Sequence, residues 1–324
     1  MGSIRGLRKA GRVVPAILLC LIGGCAPRRP NLPAPPISSR VDAPAPPRRD
    51  IAVLFNNAPG YAEVAAELKS LLPERIYRLT MVDVDAEDSD SRLGTLRGKP
   101  GLFVVAIGLP AARMARDRLN APIVFSQVFN YQELFVQGRA IRGVTAMPPL
   151  ALHARNWKKL DPGLQQIGLI VSSRHADLVR EAEDAAAAAG VKIRHELSDS
   201  DRETLYVFKR LVPQIDGLWL VPDDRILSPG VLREMLGYAA SHGVQVCVFS
   251  DTLLGWGALM SASPSSRDIA RTVRRVLEHM IAGNADTVPA LTPLSEVVVR
   301  VNERVAGRLG LTSWRGSWIV RGDK

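Results

Sequence analysis

A chain of 324 residues with 47% hydrophobic content and only 3 cysteines is long enough for one or two cores and too poor in cysteine for a disulfide scaffold. Its formal net charge of +10 is unevenly spread: residues 1–25 carry +4 and residues 26–50 carry +3, which leaves +3 for everything after residue 50. A folded part so close to neutral gives no case for a nucleic-acid-binding surface.

The N-terminus pairs a basic cluster (Arg5, Arg8, Lys9, Arg12) with an apolar run from Val13 to Ile22. That is the order of a secretory signal, and the run is shorter than the ~20 residues a membrane-spanning helix needs. It ends in Leu21-Ile-Gly-Gly-Cys25: a branched apolar residue, two small residues, then cysteine. Residues 1–25 thus resemble a bacterial lipoprotein signal, which predicts lipidation of Cys25 and a chain anchored to a membrane outside the cytoplasm. An ordinary signal peptide or a short anchor is the alternative. Ala26, rather than an aspartate, predicts the outer membrane in a cell that has two. Residues 26–50 hold eight prolines and no apolar periodicity. Fixed φ angles and missing donors keep such a tether extended and solvated, reaching on the order of 75 Å at ~3.1 Å per residue. Arg28, Arg29, Arg48 and Arg49 are placed to meet anionic headgroups.

From Ile51 onward, apolar runs of strand length alternate with helical patterns. Strands are expected at 51–55, 76–82, 102–107, 123–126, 167–171, 191–195, 218–221 and 244–249. Helices are expected at 61–72, 109–118, 150–160, 175–189, 201–212, 228–242 and 265–282, with Gly190 and Gly243 closing two of them. Several strands are apolar without alternation, as in a parallel sheet covered on both faces. The βαβα order predicts a doubly wound α/β architecture, and the number of strands favours two sheets over one. Pattern breaks at 127–149 and 251–264 are the expected crossings between lobes. The predicted organisation is an N-terminal α/β lobe over 51–145 with a return segment near 258–290, a C-terminal α/β lobe over 146–255, and a C-terminal segment over 291–324.

In open α/β sheets ligands sit beyond the carboxyl ends of the strands. The candidates are therefore Asn56 and Asn57 after the first strand, Gly108 after the third, and Ser126 and Gln127 after the fourth. From the second lobe come Ser172 and Ser173, Asp223 and Asp224, and Ser250 and Asp251. Aspartates suit an amine or hydroxyl, and serines and asparagines suit a carboxylate or carbonyl. Any one such loop residue is as well explained by solvation; the set stands out because it recurs at every expected cleft-facing end. Asp223 and Ser126 are expected on opposite walls, and a strand-end carboxylate at a solvated cleft is not expected to hold the core together.

Other chemistry finds little support. The run Asp83-Val-Asp85-Ala-Glu87-Asp88-Ser-Asp90 lacks the glycine and final glutamate of an EF-hand and reads as a solvated connector. The histidines at 153, 175, 195, 242 and 279 form no zinc pair. With no Gly-x-Ser-x-Gly elbow or Walker loop, no metal, cofactor or catalytic residue is expected. Cys247, inside an apolar run, reads as a small buried hydrophobe. Trp314 and Trp318 suit either a partner-docking patch or a C-terminal strand packed on the last helix.

The stretch Gly101-Leu-Phe-Val-Val-Ala-Ile-Gly108, followed by Ala121-Pro-Ile-Val-Phe-Ser126, is similar to the core of a group of ABC-transporter substrate-binding proteins, uncharacterised or aromatic-amino-acid-binding. Arg142-Gly-Val-Thr145, Ile167-Gly-Leu-Ile-Val171, Asp216-Gly-Leu-Trp-Leu-Val-Pro-Asp223, Gly257-Ala-Leu-Met-Ser261 and Val298-Val-Arg-Val-Asn302 extend the likeness in order, as far as Leu311. The resemblance implies a type 1 periplasmic-binding fold: two doubly wound lobes, three crossovers and a ligand clamped between them. The chain departs from the family at Leu109, where threonine is usual, and at Asn130-Tyr131, where Asp-Pro is usual. It departs again past Ser261, where Ala262, Ser263, Ser266 and Arg267 stand in place of tyrosines, a change that speaks against an aromatic amino acid as cargo.

The expected function is that of a lipid-anchored solute-binding protein, which closes on a small polar, amino-acid-like organic ligand and delivers it to an ABC permease. The alternative is a lipoprotein that kept the fold and regulates an envelope enzyme or machine by protein contact.

Overall fold

The computed structural model describes residues 48–223, 225–311 and 316–321. The expectations for Cys25, Ala26, Asp224, Trp314 and most of the tether lie outside those residues.

The chain builds two sheets. The first holds β1 (Arg49–Phe55), β2 (Tyr77–Asp83), β3 (Phe103–Ile107), β4 (Ile123–Ser126), β5 (Ile141–Val144) and, much later, β11 (Leu291–Thr292). Its order is β11-β5-β4-β3-β1-β2, and every pairing is parallel. The second holds β6 (Gln166–Val171), β7 (Lys192–Leu197), β8 (Gly217–Trp219), β9 (Gln245–Val248), β10 (Met260–Ser263), β12 (Glu296–Val301) and β13 (Ser317–Arg321). Here the order is β13-β12-β10-β9-β8-β6-β7, parallel up to β10 and antiparallel for β12 and β13.

Both sheets reverse direction beside their first strand, as in doubly wound folds. Continuous apolar strands such as Phe-Val-Val-Ala-Ile in β3 are buried because helices cover both faces. In the first lobe α1 (Pro59–Leu71) and α8 (Ser266–Ile281) share one core, and α3 (Leu109–Arg118) with α2 (Ser89–Leu96) covers the other face. In the second lobe α4 (Leu150–Leu160), α5 (Ala176–Ala188) and α9 (Glu303–Arg308) lie on one face, and α6 (Asp201–Leu211) and α7 (Pro229–Ser241) on the other. Serine side chains cap α6, α7 and α8, each accepting a first-turn amide: Ser200 from Glu203, Ser228 from Val231, Ser265 from Asp268. Gly190 and Gly243, with φ near +72° and +70°, follow α5 and α7.

The chain passes between lobes near residues 145–149, 263–266 and 292–296. These crossings are braced. The Thr145 hydroxyl donates to the Met147 carbonyl and accepts the Leu294 amide, both at 3.1 Å. Asp268 on α8 is 4% exposed and accepts the amides of Ser295 and Glu296 at 2.8 and 2.9 Å, which fixes the start of β12.

Several boundaries differ from those expected. Arg49 and Asp50, assigned to the tether, open β1; Asp50 is paired to Lys99 at 2.8 Å, so these residues are held in the sheet. Residues 260–263, assigned to the first lobe's return, form β10 of the second sheet, and the crossing falls after Ser263. The 291–324 segment contributes β11 to the first sheet and β12 and β13 to the second. The acidic run is not all connector, because α2 begins at Ser89 and Asp88 holds Arg92 one turn on. Trp318 on β13 sends its indole N–H to Asn156 of α4, 3.3 Å away, and packs against the second-lobe core that α4, α5 and α9 share.

Candidate functional site

A cavity of about 470 Å³ lies between the lobes, within the usual range for small-molecule sites. The first lobe lines it with Tyr61 from the first turn of α1, Leu109 from the start of α3, and Gln127, Phe129 and Asn130 from the loop after β4. The second lobe supplies Pro222 and Asp223 after β8, Leu227 before α7, and Phe249 and Ser250 after β9. The crossover Ala146–Pro148 completes the lining, with Ala262 from β10 and Pro264 from the crossing after it. Leu227 apart, the wall residues sit just past the carboxyl end of a strand or in the first turn of the helix after it.

The loop after β4 carries the most unusual local structure. Gln127 has φ of +54°, the one residue other than glycine among those described with a positive φ. Its Oε1 is enclosed and has no hydrogen-bond partner. A backbone held in that region and a buried orphan acceptor both cost free energy, and such costs collect at binding sites. Beside it Ser126 is 0% exposed; its carbonyl accepts the Gly108 amide at 2.9 Å while its hydroxyl has no partner. Gly108 lies under the Tyr61 ring, where a Cβ would come within 3.2 Å. Burial of Tyr61 raises its phenol pKa, so the hydroxyl stays protonated at neutral pH.

On the opposite wall Asp223 is 2% exposed, and its carboxylate accepts the Ser172 amide at 3.0 Å and the Arg225 amide at 3.2 Å. This overturns the expectation that it holds nothing together: it ties the end of β6 to the loop after β8. Ser172 is itself fully buried with an unpartnered hydroxyl.

The other candidates separate. The Asn56 Oδ1 is enclosed and unpartnered, whereas Asn57 is exposed, and neither lines the cavity. Ser173 turns away to Asp199, whose pKa it lowers through side-chain and backbone hydrogen bonds. Ser250 lines the cavity and its hydroxyl meets Thr252 at 2.9 Å. The carboxylate of Asp251 is occupied by the hydroxyls of Ser261 and Ser263 and by Arg300, inside the second lobe. Asp223, Gln127 and Ser250 therefore reach the cavity itself, with Gly108, Ser126 and Ser172 directly behind the wall.

Polar selection alone missed Tyr61, Phe129 and Phe249, the aromatic part of the lining. The signal was present: Phe129 and Phe249 follow strand ends as closely as the polar residues do. A second cavity of about 230 Å³ shares Phe129 and residues 146–148 with the first and takes in His175 and Glu181 of the second lobe. His175 Nε2 lies 2.6 Å from Asn130 Oδ1, and its ring 4.3 Å from that of Phe129, so two cavity residues of the first lobe touch the second lobe directly.

No protein-family model matches the chain, and no curated protein matches it. Solved structures do. The ABC domain from Streptococcus pneumonia in complex with L-Trp superposes with a TM-score of 0.56 at 18% identity, over 82% of this chain and 95% of that one. A ligand-free, open substrate-binding protein with adhesive properties from Clostridium difficile gives 0.61 at 15% identity, over 81% and 95%. The fold is that of the type 1 periplasmic-binding proteins. A conserved domain protein from Vibrio cholerae, at 0.55 and 15% identity over 81% and 94%, has it too. Identities this low establish the architecture and leave the ligand to the residues in the cleft.

Proposed function

We propose that this protein binds a small polar organic ligand between its lobes and, tethered to the membrane by lipid on Cys25, presents it to an ABC permease. The observation that carries the reading is Gln127: a strained backbone holds a buried, unpartnered amide oxygen at the wall of an inter-lobe cavity. Polar atoms are left without partners in a folded protein chiefly where something else supplies the partner. Asp223 faces the same cavity from the other lobe, so a ligand that touches both walls favours the closed arrangement over the open one. Solved structures of this fold include a domain in complex with L-Trp and a substrate-binding protein, which agrees with the reading. Ala26 directs the anchor to the outer membrane, whereas delivery to a permease belongs at the inner one, and fractionation decides between them.

The test is a thermal-shift screen of amino acids, short peptides, purines and sugars, followed by calorimetry on every hit. A compound that raises the midpoint of the wild type and loses affinity on substitution at Gln127 supports the proposal. If no compound raises it, ligand binding is abandoned and regulation by protein contact takes its place.

A further inference from the structure

Among the described residues lining the inter-lobe cavity, Asp223 carries the one charged group, and the side chains able to donate (Tyr61, Gln127, Asn130 and Ser250) are neutral. Gln127 Oε1 lines it without a partner. Each oxygen of Asp223 receives one backbone N–H and retains a lone pair. Among the described residues lining the cavity there is no lysine, arginine or histidine. A carboxylate or phosphate placed there would lose its hydration without a side-chain cation to replace it, beside a carboxylate of its own sign. Tyr61, Phe129 and Phe249 supply aromatic surface from three different loops and both lobes.

Resting on the binding-protein reading above, we infer that the ligand is a flat nitrogen heterocycle rich in N–H donors and free of anionic groups. A purine base or nucleoside is one source of that chemistry and an aromatic amine is another. A guanine-type edge presents two adjacent N–H groups to one carboxylate, one for the lone pair that each oxygen of Asp223 retains, while its ring takes the aromatic walls. An aromatic amine instead brings an ammonium to Asp223. A zwitterionic aromatic amino acid has the ring and the ammonium but adds a carboxylate that no lining side chain neutralises.

Matched pairs test this directly: guanosine against guanosine 5′-monophosphate, and tryptamine against L-tryptophan, by thermal shift and calorimetry on the purified full chain. The expected result is that at least one non-anionic member binds and its anionic counterpart is weaker by about tenfold or more, the factor for one lost charge-assisted contact. Which pair responds identifies the source. Gln127→Gly should weaken the binder about ten- to hundredfold. Its own unfolding midpoint should stay the same or rise, because glycine accepts the left-handed backbone that glutamine occupies under strain. Asp223→Asn, which keeps an acceptor for a backbone amide, should weaken it as well. If L-tryptophan or the nucleotide binds as tightly as its partner, the inference is overturned and the binding-protein reading stands. The same holds if all four fail while a sugar or peptide from the wider screen binds. If nothing in the wider screen binds, both fall together.

Discussion

His153 predicts an acid sensitivity that can be isolated from everything else in the chain. It sits on α4 in the core of the second lobe, 1% exposed, its ring centroid 5.5 Å from that of Trp219, and neither ring nitrogen has a hydrogen-bond partner. Burial disfavours the imidazolium and lowers the pKa from 6.5 to about 3. The sign follows: below pH 6.5 the unfolded chain takes up a proton that the native protein refuses, so stability falls as the pH drops and levels off only near pH 3. At about 1.4 kcal/mol per pH unit, the loss from this group is about 2 kcal/mol at pH 5. His153→Leu removes the titration together with two orphan polar atoms, so the variant should match or exceed the wild type at pH 7.5. Urea unfolding followed by tryptophan fluorescence is a suitable assay, since Trp157 and Trp219 belong to the same core. The wild type should lose about 2 kcal/mol relative to His153→Leu between pH 7.5 and 5. Parallel pH dependence of the two proteins would refute the argument.

Asp223→Ala leaves the Ser172 and Arg225 amides without their acceptor, and should lower stability by about 2–3 kcal/mol in addition to any effect on ligand; an unchanged midpoint in a thermal melt would count against the bracing role. Gly217→Ala drives a Cβ to 2.3 Å from the Trp157 ring, whose indole N–H is bonded to Gln245 at 2.7 Å. Overpacking at such a site costs about 1–3 kcal/mol, so wild-type-like denaturant midpoints would contradict the packing seen here. Cys25→Ser should abolish palmitate labelling and release the protein from membranes; retained label would remove the anchor from the proposal.

The sequence made the parallel core legible because both faces of those strands are buried. β1, β3, β4, β6 and β9 are dominated by apolar residues, and each was located to within a residue or two. What it hid were strands whose pattern is set by neighbours. β5 (Ile-Arg-Gly-Val) carries Arg142, whose guanidinium reaches the carbonyls of Ala285 and Val288, and Gly143, pressed against Phe125. β10 (Met-Ser-Ala-Ser) is made of small residues because Asp251 gathers two of its hydroxyls. Neither has intrinsic strand character, so the first two crossings are placed from sequence only within the pattern breaks at 127–149 and 251–264. At the site, the strand-end rule names some residues that line the inter-lobe cavity and some that do not. Asp251 and Ser173 follow strands as Gln127 does, yet their groups are consumed by Arg300 and Asp199. Only geometry separates a spent polar group from an unspent one.

The contact between Asn130 and His175 bears on how such a protein would move. One neutral hydrogen bond contributes roughly 1 kcal/mol net, enough to shift an open–closed equilibrium by about fivefold. A switch from mostly open to mostly closed needs about 5.5 kcal/mol of differential affinity, so this latch cannot close the lobes by itself. The remainder must come from a ligand that engages both walls. Asn130 lines the cavity and also touches His175, so a ligand that orients its amide acts on the inter-lobe contact at the same time. The brace at Thr145, Leu294, Asp268 and Ser295 is a set of chain crossings held by hydrogen bonds. Such a brace resists sliding of the lobes and permits rotation about the crossings, which makes the bonds spanning the cleft the terms that ligand binding can bias.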